Sequence, residues 1–582
     1  MGKLKITSMV KNELIKDASH VWILKGHKEF AYEDRSEDYL HDLYNSTDEL
    51  DSRSEELEKH IKDWPTEYHL SRKRAQLFGG FEFDRDQRVL EVGCGCGSIT
   101  RYLGENFDQV VAIEGSLKRA KAARLRTRDL ESVSIICGPF QEINYTEKFD
   151  IIFCIGVFEY SGAFVDSDDP YDAVLSHFSK LLTPNGLVVI AIENQFGLKY
   201  LTGGREDHLN ERFQGVEGYH RRLYPKVRTF GKYELDLMLK KYFQNSKFFY
   251  PFPDYKLPDC IISEEFILSG LAGELISQMH PRDYSAKSKK IFDEASTALE
   301  LDRNNMLDFF SNSFLVVASK KDFSRFKFEQ LAVIFSSGRA RDYSMKTSIV
   351  SGENNKVIVK KKLISGKKQF EKENLKISET ESTWFNNKSL RTKIYLNSLS
   401  QVKTLDEIFL PCKEWLDYLI SNSQINDGRS YIDGVHVDSI LENVFYTKNG
   451  LKIADREWEW KENIPLNVLF IRAIFQFLVG IKRSNNISDA IIKKRTKILI
   501  IEVGKSLGLK ITSEDFNEFI DLQASLDSAI FGSDKRKIKL YLRLYFINQA
   551  LLERVVNLRD VFMNLIWRIR LKIKQLFDFT LT

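Results

Sequence analysis

Proline is scarce in this 582-residue chain, at 11 residues, and neither a low-complexity tract nor an internal repeat is present. That excludes collagen-like, proline-rich and wholly disordered chains. Cysteine is scarce too. Cys94, Cys96, Cys137, Cys154, Cys260 and Cys412 form no C-x-x-C pair and have no histidine at zinc-ligand spacing, so neither a disulfide framework nor a structural zinc is expected, and a reducing, cytoplasmic compartment fits. No uncharged apolar run reaches the roughly 18 residues of a membrane span, and the opening MGKLKITSMVKNELIKDASH lacks the apolar core of a signal peptide. An excess of one charge is missing as well. Lys and Arg number 86 against 82 Asp and Glu, a net of +4, so no chain-wide field argues for nucleic acid.

What remains is the composition of a folded protein, 43% hydrophobic and 29% charged, with length for two to four domains at roughly 150 residues each. Residues 30–80 read as helical and heavily charged. From about 88, RVLEV, QVVAIE, VSIIC, FDIIFCI and LVVIAIE are short β-branched runs separated by helix-length segments. That alternation predicts an α/β fold with a doubly wound parallel sheet. KFFYPF (247–252) and SFLVVAS (313–319) are expected at its far edge, with a polar helical stretch at 284–306 before the last strand. LAVIFSS, TSIVSG and KVIVKKK then predict a strand-rich small lobe, and the chain becomes mainly helical after about 370. The expected division is a helical cap over 1–84, the α/β domain over 85–322, an α+β domain over 323–507 and a helical tail over 508–582.

RVLEVGCGCGSIT places Glu91, Gly93, Gly95 and Gly97 between a buried strand and a helix. Glycines at alternate positions let the backbone turn sharply and approach a ligand where a Cβ would clash. Such a turn serves nicotinamide, flavin and adenosyl-methionine sites alike. The next strand ends in Glu114, placed to accept two ribose hydroxyls. Glu91 discriminates further, because an acid just before the glycines repels a pyrophosphate but suits the ammonium of a methionine-derived cofactor. With FDIIFCIGVFEY and LLTPNGLVVIAIEN, the pattern E-x-G-x-G-x-G resembles the successive motifs of class I S-adenosylmethionine methyltransferases. The resemblance implies a Rossmann-like sheet, passage of Gly93 to Gly97 beneath the methionine part of the cofactor, Glu114 on the ribose, and Val157 and Phe158 close by. At the adenine edge, where the family often has Asp after the third strand, CGPFQEI offers Phe140 and Gln141.

Methyl transfer from a sulfonium asks the protein mainly to position two partners, with a base if the acceptor is a hydroxyl. His69, Glu159 and His208 are the candidates, with Tyr160 and Asp207 beside them; a helix cap or satisfied loop residue is the plain alternative for each. An anionic acceptor needs no base, and Arg72, Lys73 and Arg74 are available to hold one or simply to form a solvated helix face. WPTEYHLSRKRAQL, AIENQFGLKYLTGGREDH and FYPFPDYKLP resemble a bacterial subgroup found with cell-surface polysaccharide synthesis, which implies a polysaccharide or lipid-linked glycan acceptor.

In DGVHVDSILENVFYTKNGLKIADREWEW, His436-Val-Asp438 precedes Asn443 by five residues, and Asp455 closes a short hairpin. Phosphoryl transfer needs a carboxylate to orient the attacking hydroxyl and two ligands to hold Mg²⁺. The order resembles the catalytic and metal loops of kinases, which implies Asp438 as the orienting carboxylate, Asn443 and Asp455 as Mg²⁺ ligands, and ATP as co-substrate. Lys360 in KVIVKKK is the expected phosphate partner; SSGRARDYS around Gly338 lacks a triple-glycine pattern, and Glu371, Glu373 and Glu379 all remain as its glutamate partner. The whole chain resembles bifunctional enzymes that cap O-polysaccharides, in which one site phosphorylates the terminal sugar and the other methylates that phosphate. An inactive lobe kept as an adaptor for glycan-assembly enzymes is the alternative; an RNA methyltransferase is disfavoured by the neutral charge.

In the tail, Phe562, Leu565, Ile566, Ile569 and Ile573 make one helical stripe among Trp567, Arg568, Arg570, Lys572 and Lys574. A basic amphipathic helix of this kind suits the inner-membrane surface or a glycosyltransferase, or else docks on its own lobe.

Overall fold

The computed structural model describes residues 6–27, 34–221, 226–279, 282, 290–336, 338–481 and 486–546. It divides into two compact units, Met1–Lys368 with Glu379–Asn386, and Gln369–Ser378 with Asn387–Thr582, each in its described part.

In the first unit the β-branched runs pair into one fourteen-stranded sheet. Its strands are β1 (Leu14–Lys16), β2 (Trp22–Leu24), β3 (Arg88–Val92), β4 (Gln109–Glu114), β5 (Val133–Cys137), β6 (Phe149–Ile155) and β7 (Leu182–Glu193). They continue with β8 (Asn245–Phe252), β9 (Cys260–Ser263), β10 (Ser313–Ser319), β11 (Ala332–Phe335), β12 (Met345–Ser351), β13 (Val357–Leu363) and β14 (Thr380–Thr383). The order is β1-β2-β5-β4-β3-β6-β7-β10-β8-β9-β11-β12-β13-β14, parallel from β2 to β7 and antiparallel elsewhere.

Alternation along a strand sends successive side chains to opposite faces. Leu90, Val92, Ile152 and Val188 therefore enter one core, and Val89, Ile151, Phe153 and Val189 the other. Each such fully buried side chain contributes about 1.5–3 kcal/mol. Of the helices α1 (Glu37–Ser46), α2 (Trp64–Leu70), α3 (Ser98–Asn106), α4 (Leu117–Arg126) and α5 (Pro170–Leu181), α3 and α4 cover one face and α5 the other, while α1 and α2 form a separate cluster with Ala122 of α4. The expected doubly wound sheet is present.

Three sequence expectations need correction. The segment over 1–84 is not wholly helical, because β1 and β2 add an edge hairpin. At three residues each, these strands are too short for alternation to show. SFLVVAS is not at the far edge: β10 inserts antiparallel between β7 and β8. LAVIFSS, TSIVSG and KVIVKKK do not start a separate lobe at 323. They extend the same sheet, Ala332 pairing with Ile262 and Thr347 with Lys361, since the open edge of β9 offers unpaired backbone groups that those strands satisfy.

The second unit begins with the hairpin Gln369–Lys372 and Leu375–Ser378, to which Trp458–Trp460 adds. Its core helix, α6 (Leu466–Ile481), is buried almost all round and packs against α7 (Ser513–Phe531). Thr512 and Asp515 form the capping box that starts α7, and Gly532, at φ 67°, ends it. The amphipathic stripe from Phe562 to Ile573 lies outside the described residues.

Candidate active site

The order of the parallel strands reverses between β3 and β6, which opens a crevice at their carboxyl ends. A cavity of about 600 Å³ occupies it. Its floor is the turn after β3. Gly93, at φ 76°, takes a conformation that favours glycine, and a Cβ there would sit 2.4 Å from Val157 Cγ2. The amides of Gly93 and Cys94 both donate to the Ile113 carbonyl, and the Gly95 amide donates to Glu114 Oε2 at 2.8 Å. Glu114 Oε1 accepts from Ser116 at 3.0 Å. The acid that ends β4 thus ties the loop to the next turn while bordering the cavity.

A Cβ on Gly95 would have only His69 Cε1 near, at 3.7 Å, and would otherwise point into open space. Gly97 differs: it lies off the cavity lining, and a Cβ there would meet Ala123 Cα at 2.7 Å. Its glycine is required for close packing of α3 on α4, which corrects its expected place beneath the cofactor. Phe158 is likewise a core residue, set against Tyr171 and Phe230, whereas Val157 borders the cavity. Pro139, Phe140, Gln141 and Phe164 line one end, with Gln141 Nε2 donating to the Phe164 carbonyl at 3.0 Å. Glu91 lies under the loop. Burial pushes its carboxyl up to about 8, and its Oε2 has no hydrogen-bond partner. A buried acid of that kind, near a glycine, Gly95, that faces open space, fits the ammonium of S-adenosylmethionine.

The cap closes the other side. Asp63 and Thr66 form a capping box with Pro65 in the first turn, so α2 presents Trp64, Tyr68 and His69 to the cavity. His69 Nε2 lies 3.0 Å from Asp34 Oδ2, which also accepts from Arg119 at 2.8 Å. Burial lowers the imidazole pKa, outweighing Asp34. His69 therefore ties the cap to α4 and is no longer the natural candidate for the base. Arg72 pairs with Glu55 and Glu58, and Lys73 with Asp259. Arg74 alone of the three borders the cavity, its guanidinium over the Tyr68 ring and donating to the Lys256 carbonyl.

A polar wall faces the loop, formed by Glu159, Tyr160, Glu206, Asp207, His208 and Lys256. His208 Nδ1 is 2.9 Å from Glu206 Oε1, and its Nε2 is 3.7 Å from Glu159 and 3.9 Å from Glu193. Burial works against the imidazolium, but Glu193, Glu159 and Glu206 outweigh it and raise its pKa. Burial raises the carboxyl of Glu159; at Glu193 the same burial is overcome by Lys256 and His208, which lower it. Lys256 also pairs with Asp207, as does Lys199 at 2.9 Å. Glu193 and Lys256 were missed from sequence. Glu193 ends a strand as Glu114 does, and that was its only signal.

Residues 90–188 match the family model described as "Methyltransferase domain". The chain contains a class I S-adenosylmethionine-dependent methyltransferase domain. It is similar to the cyclopropane-fatty-acyl-phospholipid synthase of Escherichia coli, 31% identical over 104 residues, covering 18% of this chain and 25% of that protein. It is also similar to the ubiquinone biosynthesis O-methyltransferase of Bradyrhizobium diazoefficiens, 29% identical over 172 residues, 29% of this chain and 64% of the relative. The chain thus spans a quarter of the first relative's length and just under two thirds of the second's. Among solved structures, phosphoethanolamine N-methyltransferase 2 of Haemonchus contortus with S-adenosylmethionine is 19% identical over 43% of this chain and 52% of that one, at a TM-score of 0.25.

The kinase-type residues fall in both units. Lys360 lies on β13, 3.4 Å from Glu381 on β14. In the second unit Asn443 and Asp455 flank the hairpin Val444–Thr447 and Gly450–Ile453, as expected. Asp438 Oδ2 accepts from Asn443 Nδ2 at 3.0 Å, and Oδ1 from Arg472 Nη2 on α6 at 2.8 Å. Asp455 has a positive φ of 55°. The described residues contain no helix long and apolar enough to cross a membrane.

Proposed function

We propose that the chain transfers a methyl group from S-adenosylmethionine to a hydroxyl oxygen of a bacterial cell-surface polysaccharide. The carrying observation is the polar wall of Glu159, Tyr160 and His208 across the cavity from the glycine loop. The cofactor supplies an electrophilic methyl on a sulfonium. Gly95 and Glu91 hold its methionine end, and Glu114 its ribose. The acceptor hydroxyl docks against Glu159 and His208 and gives up its proton to the carboxylates of that wall as the new O–C bond forms. Trp64, Tyr68 and Tyr160 bring rings with polar handles to the same cavity, a setting suited to a sugar. The similarity to a ubiquinone biosynthesis O-methyltransferase also favours an oxygen acceptor.

Calorimetry tests the cofactor half: Gly95→Val, in a folded protein, is expected to abolish S-adenosylmethionine binding. Mass spectrometry of a purified glycan after incubation with labelled cofactor tests the acceptor half. Glu159→Gln and His208→Gln are each expected to lower kcat by about 10²–10⁴-fold with cofactor affinity retained. Unchanged turnover in both would point to an acceptor that is already an anion.

A second reading, a sugar phosphate made by the second unit, rests on Asp438, Asn443 and Asp455 lying around one hairpin. Against it, Arg472 and Asn443 occupy both oxygens of Asp438, which favours a kinase-like lobe serving as adaptor. ATP with Mg²⁺ raising the Tm of the intact protein, and Asp455→Ala removing that rise, would favour the kinase.

A further inference from the structure

We propose that Glu159, Glu193 and His208 bind one divalent first-row transition-metal ion at the wall of the methyltransferase cavity. The proposal deepens the reading of that wall as the acceptor's side, and nothing in the sequence motifs points to it.

The three side chains come from separate places: Glu159 from the turn after β6, Glu193 from the end of β7, and His208 from the loop beyond it. Their ligand atoms nevertheless lie within 4.8 Å of one another. An ion held at about 2.1 Å from each donor spaces the donors by about 3–4 Å, so only a small contraction is needed.

The donors are also prepared in the way metal ligands are. A ligating histidine ordinarily gives its other ring nitrogen to a carboxylate, which fixes the tautomer and the ring orientation. His208 does this with Glu206 at 2.9 Å, leaving Nε2 towards Glu159 and Glu193. Glu159 and Glu193 are 1% and 0% exposed, yet Oε2 of each has no hydrogen-bond partner. A buried carboxylate oxygen without a donor is costly, and a cation removes that cost from both at once. Oε1, the Glu193 oxygen 3.9 Å from His208 Nε2, already receives Lys256 and the Tyr255 hydroxyl, so the ion would draw on the unpartnered Oε2 of the same carboxylate.

The charge balance points the same way. Glu159, Glu193 and Glu206 surround His208, and Asp207 and Asp254 join them through the ammonium groups of Lys199 and Lys256. One nitrogen and two carboxylates suit Mn²⁺, Fe²⁺ or Zn²⁺ better than Mg²⁺ or Ca²⁺, which prefer all-oxygen shells. Since Glu159 and His208 border the cavity, the ion would present an open position to an acceptor oxygen.

The test uses the full-length chain stripped of metal, without acceptor or cofactor, titrated with Mn²⁺ and followed by electron paramagnetic resonance. One bound ion per chain is expected, with nitrogen coupling from one imidazole. His208→Gln should remove that coupling, and Glu193→Gln and Glu206→Gln should weaken binding by about 10–100-fold. Far-ultraviolet dichroism and S-adenosylmethionine binding verify folding of each variant. No stoichiometric binding, binding without nitrogen coupling, equal affinity in all three variants, or loss of the ion on Asp455→Ala instead would overturn the proposal. Metal binding without methyl transfer would reject the acceptor reading and leave the site standing; cofactor binding without metal binding would do the reverse.

Discussion

At the scale of single residues, the glycine loop separates two effects that look alike in sequence. Gly95→Ala meets open space, so its cost to folding is about 1 kcal/mol for a left-handed backbone, while the added methyl stands where the cofactor must lie. Gly97→Ala pays the same backbone cost and also drives a Cβ against Ala123 Cα, for about 1–3 kcal/mol more. Urea denaturation with calorimetry is expected to show Gly95→Ala stable but weak in cofactor binding, and Gly97→Ala the less stable of the two. Glu91 adds a pH dependence. Its folded carboxyl is raised to about 8 by burial, above an unfolded value of about 4.3. The free protein therefore loses stability as pH rises from about 4 through 8, up to about 5 kcal/mol in all. Pairing with the cofactor's ammonium favours the ionised form, so binding should release a proton near neutrality and tighten as pH approaches 8. Glu91→Gln should flatten that dependence; a wild-type affinity independent of pH between 6 and 8 would refute it.

At the scale of elements, the cap is fastened to α4 through Asp34, which receives His69 and Arg119, while Arg119 also reaches Glu37. Burial would raise the Asp34 carboxyl, but His69 and Arg119 outweigh it and hold it well below the ordinary range. A depressed carboxyl contributes stability that is present above its unfolded pKa and lost as pH falls through the acid range. Asp34→Asn is expected to cost about 1.5–3 kcal/mol at pH 7 by removing the charged partner that His69 and Arg119 share, and to flatten the acid limb of the stability profile. A wild-type-like profile would show that the contact carries no free energy. None of this was visible in sequence, because Asp34, His69 and Arg119 come from three segments with no shared period. What was legible had local causes: the strand-turn-helix at Glu91 to Gly97, the acid ending β4, and the two-faced burial of RVLEV and FDIIFCI. Periodicity shows that KVIVKKK is a strand but not which edge it joins, so its place on the methyltransferase sheet was missed. Glu193 meets His208, and Lys256 meets Glu193, only through the fold, and of the two only Glu193 had a local signature.

At the scale of the whole molecule, the open issue is whether the two units act in series. If the acceptor is a phosphate made by the second unit, a variant without Asp438 should fail to methylate an unphosphorylated glycan, however much cofactor is supplied. If the acceptor is a hydroxyl, the same variant should methylate normally. The site chemistry favours the second outcome. Lys199 and Lys256, the cations paired with this wall, are already opposed by Asp207, Asp254 and Glu193, so a dianionic phosphate would enter a region rich in carboxylate. A neutral hydroxyl meets no such penalty, and the carboxylates of the wall accept its hydrogen bond. Asp438 is itself held on both oxygens by Arg472 and Asn443, an arrangement that stabilises a lobe better than it frees a carboxylate to orient a nucleophile. The Asp438→Ala chain, given glycan, S-adenosylmethionine, ATP and Mg²⁺, is therefore expected to incorporate methyl at close to the wild-type rate, with the product mass showing one methyl and no phosphate. Methylation that vanishes in this variant and returns when a pre-phosphorylated glycan is supplied would establish the serial mechanism, and would make the second unit the source of the first unit's substrate.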